Sequence, residues 1–299
     1  MAIAATKVTA IVQETVGIYK QPNKWECGPF ALKHALLMRG VLASEREIAR
    51  LAGTNHDGTD EAQLERAAHQ YGCDLPTIRK LDPEEARSEL IGFLRDGVPC
   101  LLCVDGWDHW VTAIHEEKGQ LIILDSEKPE VIVITDWPRL MALWVYHEGG
   151  DTLYDLHPLI PRDGNPTVAR FSLDRARRLT QPENRRLAQL WDGYVEDLIT
   201  LCRSQEERGG PSTALGEFLR HHAEMLLDEL ELWHGRISRD HAAVVLERMR
   251  FVADTYELVI RQDDEKRTIS AISMILALWA AGEFGIEPLF RRVPIRKIR

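Results

Sequence analysis

The chain has 299 residues, of which 44% are apolar and 28% charged, so it can bury a core and is neither collagen-like nor disordered. Its longest apolar run, residues 271–281, is too short to cross a bilayer, which takes about 20 residues, and the N-terminus lacks the pattern of a signal peptide. We therefore expect a cytoplasmic protein without a membrane partner.

The net charge of −10 comes entirely from the first half of the chain. Residues 1–155 contain 15 Lys and Arg against 25 Asp and Glu, whereas residues 156–299 contain 22 of each. An acidic surface repels phosphate backbones, so nucleic acid is not an expected partner.

The five cysteines are few and odd in number, which argues against a disulfide framework. Free thiols in a reducing compartment are therefore expected. Cys100 and Cys103 have the spacing of a redox or zinc motif but lie in an apolar run with no second cysteine pair. They are predicted to be buried strand thiols, because zinc needs four ligands, or three and a water.

The first half alternates between two kinds of hydrophobic pattern, which predicts an α+β fold. Short β-branched runs predict strands at Val8–Val12, Val98–Val104, Trp110–Ile114, Leu121–Leu124 and Val131–Ile134. Helical spacing predicts helices at Phe30–Met38, Glu45–Leu51, Glu61–Tyr71 and Pro83–Arg95.

Beyond the linker-like segment 149–166 the apolar residues recur at helical spacing, which predicts an all-α helical bundle. The predicted helical tracts are Leu173–Leu201, Ala214–Trp233, Ala242–Ile260 and Ser270–Ala281. We therefore expect two domains, residues 1–155 and 156–299.

Cys27 has the strongest local signal for chemistry. Pro29 suits the first turn of a helix and Gly40 the left-handed position after its end, so Cys27 is predicted to lie at a helix N-terminus. The helix dipole and the unpaired N–H groups there favour the thiolate, which is the nucleophilic form of cysteine.

A cysteine nucleophile needs an imidazole base, and the base needs a group that orients it. The alternating segment 109–115, a turn at 116–119 and the apolar segment 121–125 predict a β-hairpin. If Glu117 lies at its centre, His109 is directly opposite Asp125, and the carboxylate can hold the imidazole N–H. A slip of one residue would place the two side chains on opposite faces.

These residues resemble the bacteriocin-processing, double-glycine leader peptidases, which are papain-like cysteine peptidases, over residues 5–145. Gln21 precedes Cys27 by six positions, as in that family, and Gly28, Pro29 and the order Cys, His, Asp also agree. Two positions depart from the family pattern: Glu26 replaces an Asp before the Cys, and Ser126 replaces a Pro after the Asp.

The resemblance implies a papain-like domain in which a helix with the cysteine packs on an antiparallel sheet. It also implies hydrolysis of a peptide bond by the catalytic residues Cys27, His109 and Asp125, with Gln21 in the oxyanion hole. The expected substrate is a peptide or protein, including those that contain Gly-Gly. No cofactor and no metal are implied by this chemistry, and the enzyme is expected to act in solution.

Two other functions remain open from the sequence. The same triad serves an acyltransferase, in which an amine rather than water resolves the thioester. Alternatively, the domain is a catalytically silent peptide-binding module. Residues 156–299 are expected to recruit a substrate or a protein partner, or to self-associate.

Overall fold

The part of the chain that the structure, a computed structural model, describes is residues 17–162, 168–206, 211–234, 237–261 and 265–285. The predicted strand Val8–Val12 lies outside these residues.

Within residues 17–155 five α-helices form, and four of them begin after a side chain that caps the backbone. Their bounds are Cys27–Met38 (α1), Glu45–Ala52 (α2), Glu61–Gln70 (α3), Pro83–Arg95 (α4) and Trp137–Trp144 (α5). The caps of α2 to α5 are Ser44, Asp60, Asp82 and Asp136, each of which accepts a hydrogen bond from a backbone N–H of the first turn. These residues fix where the helices begin.

Helix α1 lies at the centre of this half. All twelve of its residues are buried, in keeping with a segment that is apolar on most of its faces. It ends before Gly40, whose φ of 64° is the left-handed conformation predicted from the sequence.

A seven-stranded antiparallel sheet packs against α1. Its strands are Ile78–Lys80 (β2), Cys100–Val104 (β3), His109–Glu117 (β4), Gln120–Leu124 (β5), Ile132–Asp136 (β6), Tyr146–Glu148 (β7) and Asp151–Pro158 (β8). The order is β2-β8-β3-β4-β5-β6, and β7 pairs with β8. A separate two-stranded ribbon joins Cys73–Asp74 (β1) to Ile160–Pro161 (β9).

The two faces of the sheet have different neighbours. In β3, Leu101 and Cys103 join the apolar cluster around α1, whereas Cys100 and Leu102 join the cluster that contains α4 and α5. Cys100 and Cys103 are both buried and belong to opposite faces, as the period of a strand requires.

The predicted register of the β4–β5 hairpin is wrong. Glu117 pairs with Gln120, so the turn is formed by Lys118 and Gly119, both with positive φ. A β-bulge then shifts the register between Ala113 and His115.

The segment interpreted as a linker is part of the sheet. Gly149 and Gly150, with φ of 60° and 95°, form the turn between β7 and β8, and β8 pairs with both β2 and β3. The proposed domain boundary after residue 155 falls inside β8. The sheet therefore extends past that boundary, and the division of the chain into two domains stays a prediction.

In the second half, the elements that form within the described residues are helices and one short ribbon. Its helices are Leu173–Leu179 (α6), Arg185–Gln189 (α7), Trp191–Glu206 (α8), Leu215–His221 (α9), Ala223–His234 (α10), Arg239–Thr255 (α11) and Glu265–Phe284 (α12). The ribbon pairs Ser212–Ala214 (β10) with Val259–Arg261 (β11), so the predicted helical tract Ala242–Ile260 ends in a strand. None of the described helices is long and apolar enough to span a membrane.

The two halves share one apolar core. Leu37 and Met38 of α1 and Ile122 and Leu124 of β5 belong to the same buried cluster as the interior of the helical half, including Trp191. The Tyr256 hydroxyl donates a hydrogen bond to the Leu37 carbonyl at 2.8 Å, which ties the end of α1 to the helical half.

Candidate active site

Cys27 lies at the first position of α1, as the sequence predicts, and directly follows a 3₁₀ turn at Lys24–Glu26. Its side chain belongs to the apolar cluster between α1 and the sheet. The backbone N–H groups of the first helical turn are unpaired within the helix, so they can stabilise negative charge near the sulfur.

His109 and Asp125 meet in spite of the shifted register. The Nε2 atom of His109 lies 2.8 Å from an Oδ of Asp125. The pairing of β4 with β5 ends at Thr112 and Leu124, and the two side chains meet beyond that end of the hairpin.

The imidazole of His109 is held between Asp125 and Cys27. Burial lowers its pKa, but hydrogen bonds to Asp125 and Cys27 and the negative charges of both groups outweigh burial and raise the pKa from 6.5 to about 10. Because Nε2 contacts Asp125, Nδ1 is the nitrogen left for the sulfur. The arrangement therefore favours an imidazolium ion.

The loop after β5 fixes the carboxylate of Asp125. The oxygen that contacts His109 also accepts the backbone N–H of Glu127 at 3.0 Å, and the ammonium of Lys128 lies 3.9 Å from the other oxygen. Burial raises the pKa of Asp125, but the hydrogen bond and charge of His109, with Glu127 and Lys128, lower it overall. Asp125 is thus held in its ionised form.

Gln21 lies in the loop before Cys27, but its amide is engaged locally. Its Nε2 donates to the backbone carbonyls of Asn23 at 2.9 Å and Lys24 at 3.3 Å. The side chain is buried with 6% exposure, so it is fixed next to the turn that leads into α1.

Ser126 joins the loop of Gln21 to the loop of Asp125, a role that the sequence analysis missed. Its hydroxyl donates to the side-chain oxygen of Gln21, and its carbonyl accepts the Gln21 backbone N–H at 2.8 Å. The sequence carried one signal for this contact, the departure from Pro at position 126, because proline has no hydroxyl to donate.

The site is shielded from bulk water. Cys27, His109, Asp125 and Gln21 are each at most 8% exposed. Hydrogen bonds and charge–charge interactions are stronger in such surroundings than in water.

Part of the chain is similar to a known protein family. Residues 15–136 match the Peptidase C39 family. The match contains Cys27, His109 and Asp125 and ends before strands β7 and β8. The resemblance inferred from the sequence is confirmed, and the chain contains the α+β fold expected from it.

Two curated relatives are uncharacterized proteins from Methanothermobacter species. One, from Methanothermobacter marburgensis, is 38% identical over 80 residues, or 27% of this chain and 56% of the relative. The other, from Methanothermobacter thermautotrophicus, is 35% identical over 83 residues, or 28% of this chain and 58% of the relative. The aligned part thus spans little more than half the length of either relative.

Solved structures of peptidase domains are similar at low identity. The peptidase domain of Streptococcus ComA, a bifunctional ABC transporter, is 21% identical, with 48% of this chain and 98% of that chain covered and a TM-score of 0.38. A double glycine motif protease from an AMS/PCAT transporter, in complex with the leader peptide, is 20% identical, with 48% and 91% covered and a TM-score of 0.37.

Metal binding has no visible basis in the described residues. Nowhere in those ranges are three His, Cys, Asp or Glu side chains grouped so that they could hold a metal ion.

Proposed function

We propose that the chain is a cysteine peptidase in which Cys27 is the nucleophile, His109 the general acid and base, and Asp125 the group that orients His109. The observation that carries the proposal is the 2.8 Å contact between His109 and Asp125, at a site where Asp125 and the nearby Cys27 raise the pKa of His109. This is the arrangement that nucleophilic catalysis by cysteine requires.

In the proposed reaction the thiolate of Cys27 attacks the carbonyl carbon of the scissile bond. The resulting tetrahedral intermediate collapses to a thioester when the C–N bond breaks and His109 gives its proton to the leaving amine. Water, deprotonated by His109, then attacks the thioester carbonyl. The C–S bond breaks, which releases the carboxylic acid product and the Cys27 thiolate, while His109 keeps the proton taken from water.

Gln21 is proposed as an oxyanion donor together with the backbone N–H of Cys27. Its side-chain amide donates two hydrogen bonds. We expect the longer one, 3.3 Å to the Lys24 carbonyl, to be replaced by a hydrogen bond to the oxyanion. Donors of this kind contribute about 3–4 kcal/mol to the stabilisation of the transition state.

A peptide is the proposed substrate. The family match supports this class, and one of the similar solved structures contains a leader peptide. The buried site gives a physical reason as well, because an extended peptide backbone is narrow enough to bring a carbonyl to a sulfur that is only 4% exposed.

The test is the rate at which iodoacetamide alkylates Cys27 as a function of pH, followed by mass spectrometry in the wild type and in His109→Ala. Because the imidazolium stabilises the thiolate, removing it is expected to shift the alkylation profile of Cys27 to higher pH. Cys73 and Cys202, which are buried away from His109, serve as internal controls and should react alike in both proteins.

Hydrolysis is then measured with a peptide library. Cleavage that disappears in Cys27→Ser supports the peptidase. If Cys27 is as inert as Cys73 and His109→Ala changes nothing, the proposal is wrong, and a silent peptide-binding module explains the fold instead.

A further inference from the structure

A cavity of about 350 Å³ lies beside the catalytic residues and is not used by the proposed reaction. It opens between the segment 55–63, which leads into α3, and the sheet residues Cys103, Trp107, Trp110, Asp155 and His157. Its volume is within the range of about 300–1,000 Å³ that is usual for ligand pockets.

Three contacts place this cavity next to the scissile bond of the proposed substrate. Thr59, which lines it, is so close to Gly28 that a Cβ at Gly28 would come within 3.0 Å of the Thr59 Cβ. Trp110 follows His109 and donates its indole N–H to the Thr59 carbonyl at 2.9 Å. The Cys103 thiol also lines the cavity, and its pKa is raised by burial and, to a smaller extent, by the nearby Cys27.

The lining of the cavity is acidic. Asp57, Asp60, Glu61 and Asp155 contribute to it, and no Lys or Arg is among the residues that line it. Arg79 neutralises Asp155 through a two-bond ion pair with distances of 2.6 and 2.8 Å. The carboxylates of Asp57, Asp60 and Glu61 at the exposed rim therefore decide the sign of the local field.

The N-terminus of α3 does not turn this rim into an anion site. The Asp60 carboxylate already accepts the backbone N–H of Gln63, and the Gln63 side chain accepts the backbone N–H of Asp60. This capping box occupies donors that an anion would use.

The inner wall of the cavity contains a buried histidine. His157 is 2% exposed and lines the cavity, and its Nδ1 lies 3.2 Å from the Thr77 hydroxyl. Burial lowers the pKa of His157 to about 4, so the ring is uncharged at neutral pH and does not repel a cation.

The outer wall is a fixed aromatic surface. Trp107 stacks on Tyr146 with ring centroids 3.9 Å apart, and the Arg79 guanidinium lies 5.2 Å from the Trp107 ring. Asp105, Gly106 and Trp107 all have positive φ, a costly conformation for Asp and Trp that persists only where surrounding contacts hold the loop. This loop connects directly to His109.

We propose that this cavity binds the cationic side chain, Lys or Arg, of a substrate residue close to the scissile bond. The aliphatic part of such a side chain would lie along Trp107 and Trp110, and its charged end would face the rim carboxylates. The inference rests on the proposed peptidase function, since it names the class of peptide that the enzyme selects.

The experiment uses the full chain and a set of tripeptidyl chloromethyl ketones, which alkylate an active-site cysteine with loss of chloride. Each position in turn carries Lys, the uncharged norleucine or Glu. The rate constant for labelling Cys27 is measured by mass spectrometry. At one position we expect Lys to be faster than norleucine by about tenfold, which corresponds to about 1.4 kcal/mol, and Glu to be the slowest.

Two double variants distinguish the effect of the rim carboxylates from the effect of the net charge of the protein. Asp57→Asn with Glu61→Gln removes two rim carboxylates and is expected to abolish most of the preference for Lys. Glu65→Gln with Glu84→Gln removes the same number of charges from residues that do not line the cavity, and the preference should remain. Added salt should weaken the preference in the wild type.

The outcomes distinguish this inference from the function on which it depends. If the Lys, norleucine and Glu reagents label Cys27 at equal rates, the cavity does not select a cationic side chain. The proposed peptidase function is then unaffected. A preference for Lys that survives loss of Asp57 and Glu61 charges also overturns the cationic pocket. If no reagent labels Cys27 in the wild type, both the function and the pocket are wrong.

Discussion

The charge on His109 depends on its two neighbours, which links the chemistry of the site to pH. Its pKa is raised from 6.5 to about 10, so the stability from its contacts is complete below about pH 6.5 and is lost as pH rises toward 10. The pKa of Asp125 is lowered from 3.8, so the stability that its ionised form contributes is complete above that value and is lost in acid. The contacts therefore stabilise the fold most between about pH 4 and 6.5.

Replacing Asp125 by Asn should move the alkaline limit of activity. The amide keeps the shape but removes the charge that opposes the effect of burial on His109, so the pKa of His109 falls and the limit moves from about pH 10 to lower pH. We also expect kcat to fall by about 10²-fold, because the imidazole loses its orientation. The measurement is the pH profile of peptide cleavage, with His109 titrated by NMR.

Asp108→Asn is the matched control for that variant. It removes an exposed carboxylate from the residue before His109, outside the contacts of the triad. If Asp125→Asn leaves the alkaline limit where it is in the wild type, Asp125 does not set the charge of His109.

Ser126 is the second residue whose effect can be isolated. Ser126→Ala removes the hydroxyl that donates to Gln21 and leaves the backbone bond between the two loops intact. We expect a loss of about 1 kcal/mol in the free energy of unfolding and a fall in kcat of up to tenfold, with KM little changed. Kinetics and thermal denaturation measure both effects.

Gln21→Ala provides the comparison, since it should cost about 10²–10³ in kcat if Gln21 binds the oxyanion. An equal loss of activity in Gln21→Ala and Ser126→Ala would mean that Gln21 acts only by holding the loop.

At the scale of single elements, the hairpin β4–β5 shows what the sequence can and cannot predict. The alternation of apolar residues and the turn were sufficient to predict both strands and to bring His109 to Asp125. The turn at Lys118 and Gly119 moves the pairing by three positions from the predicted register, and the bulge at 114 moves it back by one. The predicted register lacked both shifts, and the two together leave an offset of two residues, which keeps the alternation of faces.

Strand β8 could not be predicted because its local pattern was ambiguous. Glycines at 149–150 and prolines at 158 and 161 indicate a linker, yet the glycines form a tight turn and the prolines lie at strand ends. The decisive interactions are the pairings with β2 and β3, which are distant in sequence. One consequence is that Asp155 and His157 reach the cavity beside Cys27, which no local pattern suggested.

The close packing of α1 on residue 59 predicts the effect of one added methyl group. In Gly28→Ala the new Cβ would come within 3.0 Å of the Thr59 Cβ, so α1 or the segment 55–63 must shift. We expect a lower melting temperature and reduced kcat, because overpacking costs about 1–3 kcal/mol and Cys27 moves with the helix. Thermal denaturation and peptide cleavage test this.

Gly92→Ala, in the interior of α4, is the control. Nothing lies within 4 Å of the Cβ that it adds, so it should raise stability by about 0.5–1 kcal/mol through helix propensity alone. A gain of stability in both variants would mean that α1 is not tightly packed on Thr59.

At the scale of the whole molecule, a buried charge joins the halves. The ammonium of Lys33 in α1 is 2% exposed and lies 3.2 Å from Glu45 and 3.3 Å from Asp192 of α8. Burial raises the pKa of Asp192, and the Lys33 charge partly offsets that rise. A lysine in such a position is tolerated only while both carboxylates face it, so the helix that begins with Cys27 depends on the helical half for its charge balance.

The shared core and this ion pair predict that the two halves unfold together, although the sequence suggests two domains. Calorimetry of the full chain should give one transition, and Lys33→Met should lower its midpoint as a whole, because the variant leaves Glu45 and Asp192 facing each other without a cation. Glu47→Gln, which affects only an exposed pair with Arg50, should leave the midpoint nearly unchanged. Two separate transitions, with only one of them sensitive to Lys33→Met, would show instead that residues 1–155 and 156–299 are independent units. The active site would then not depend on the helical half for its stability.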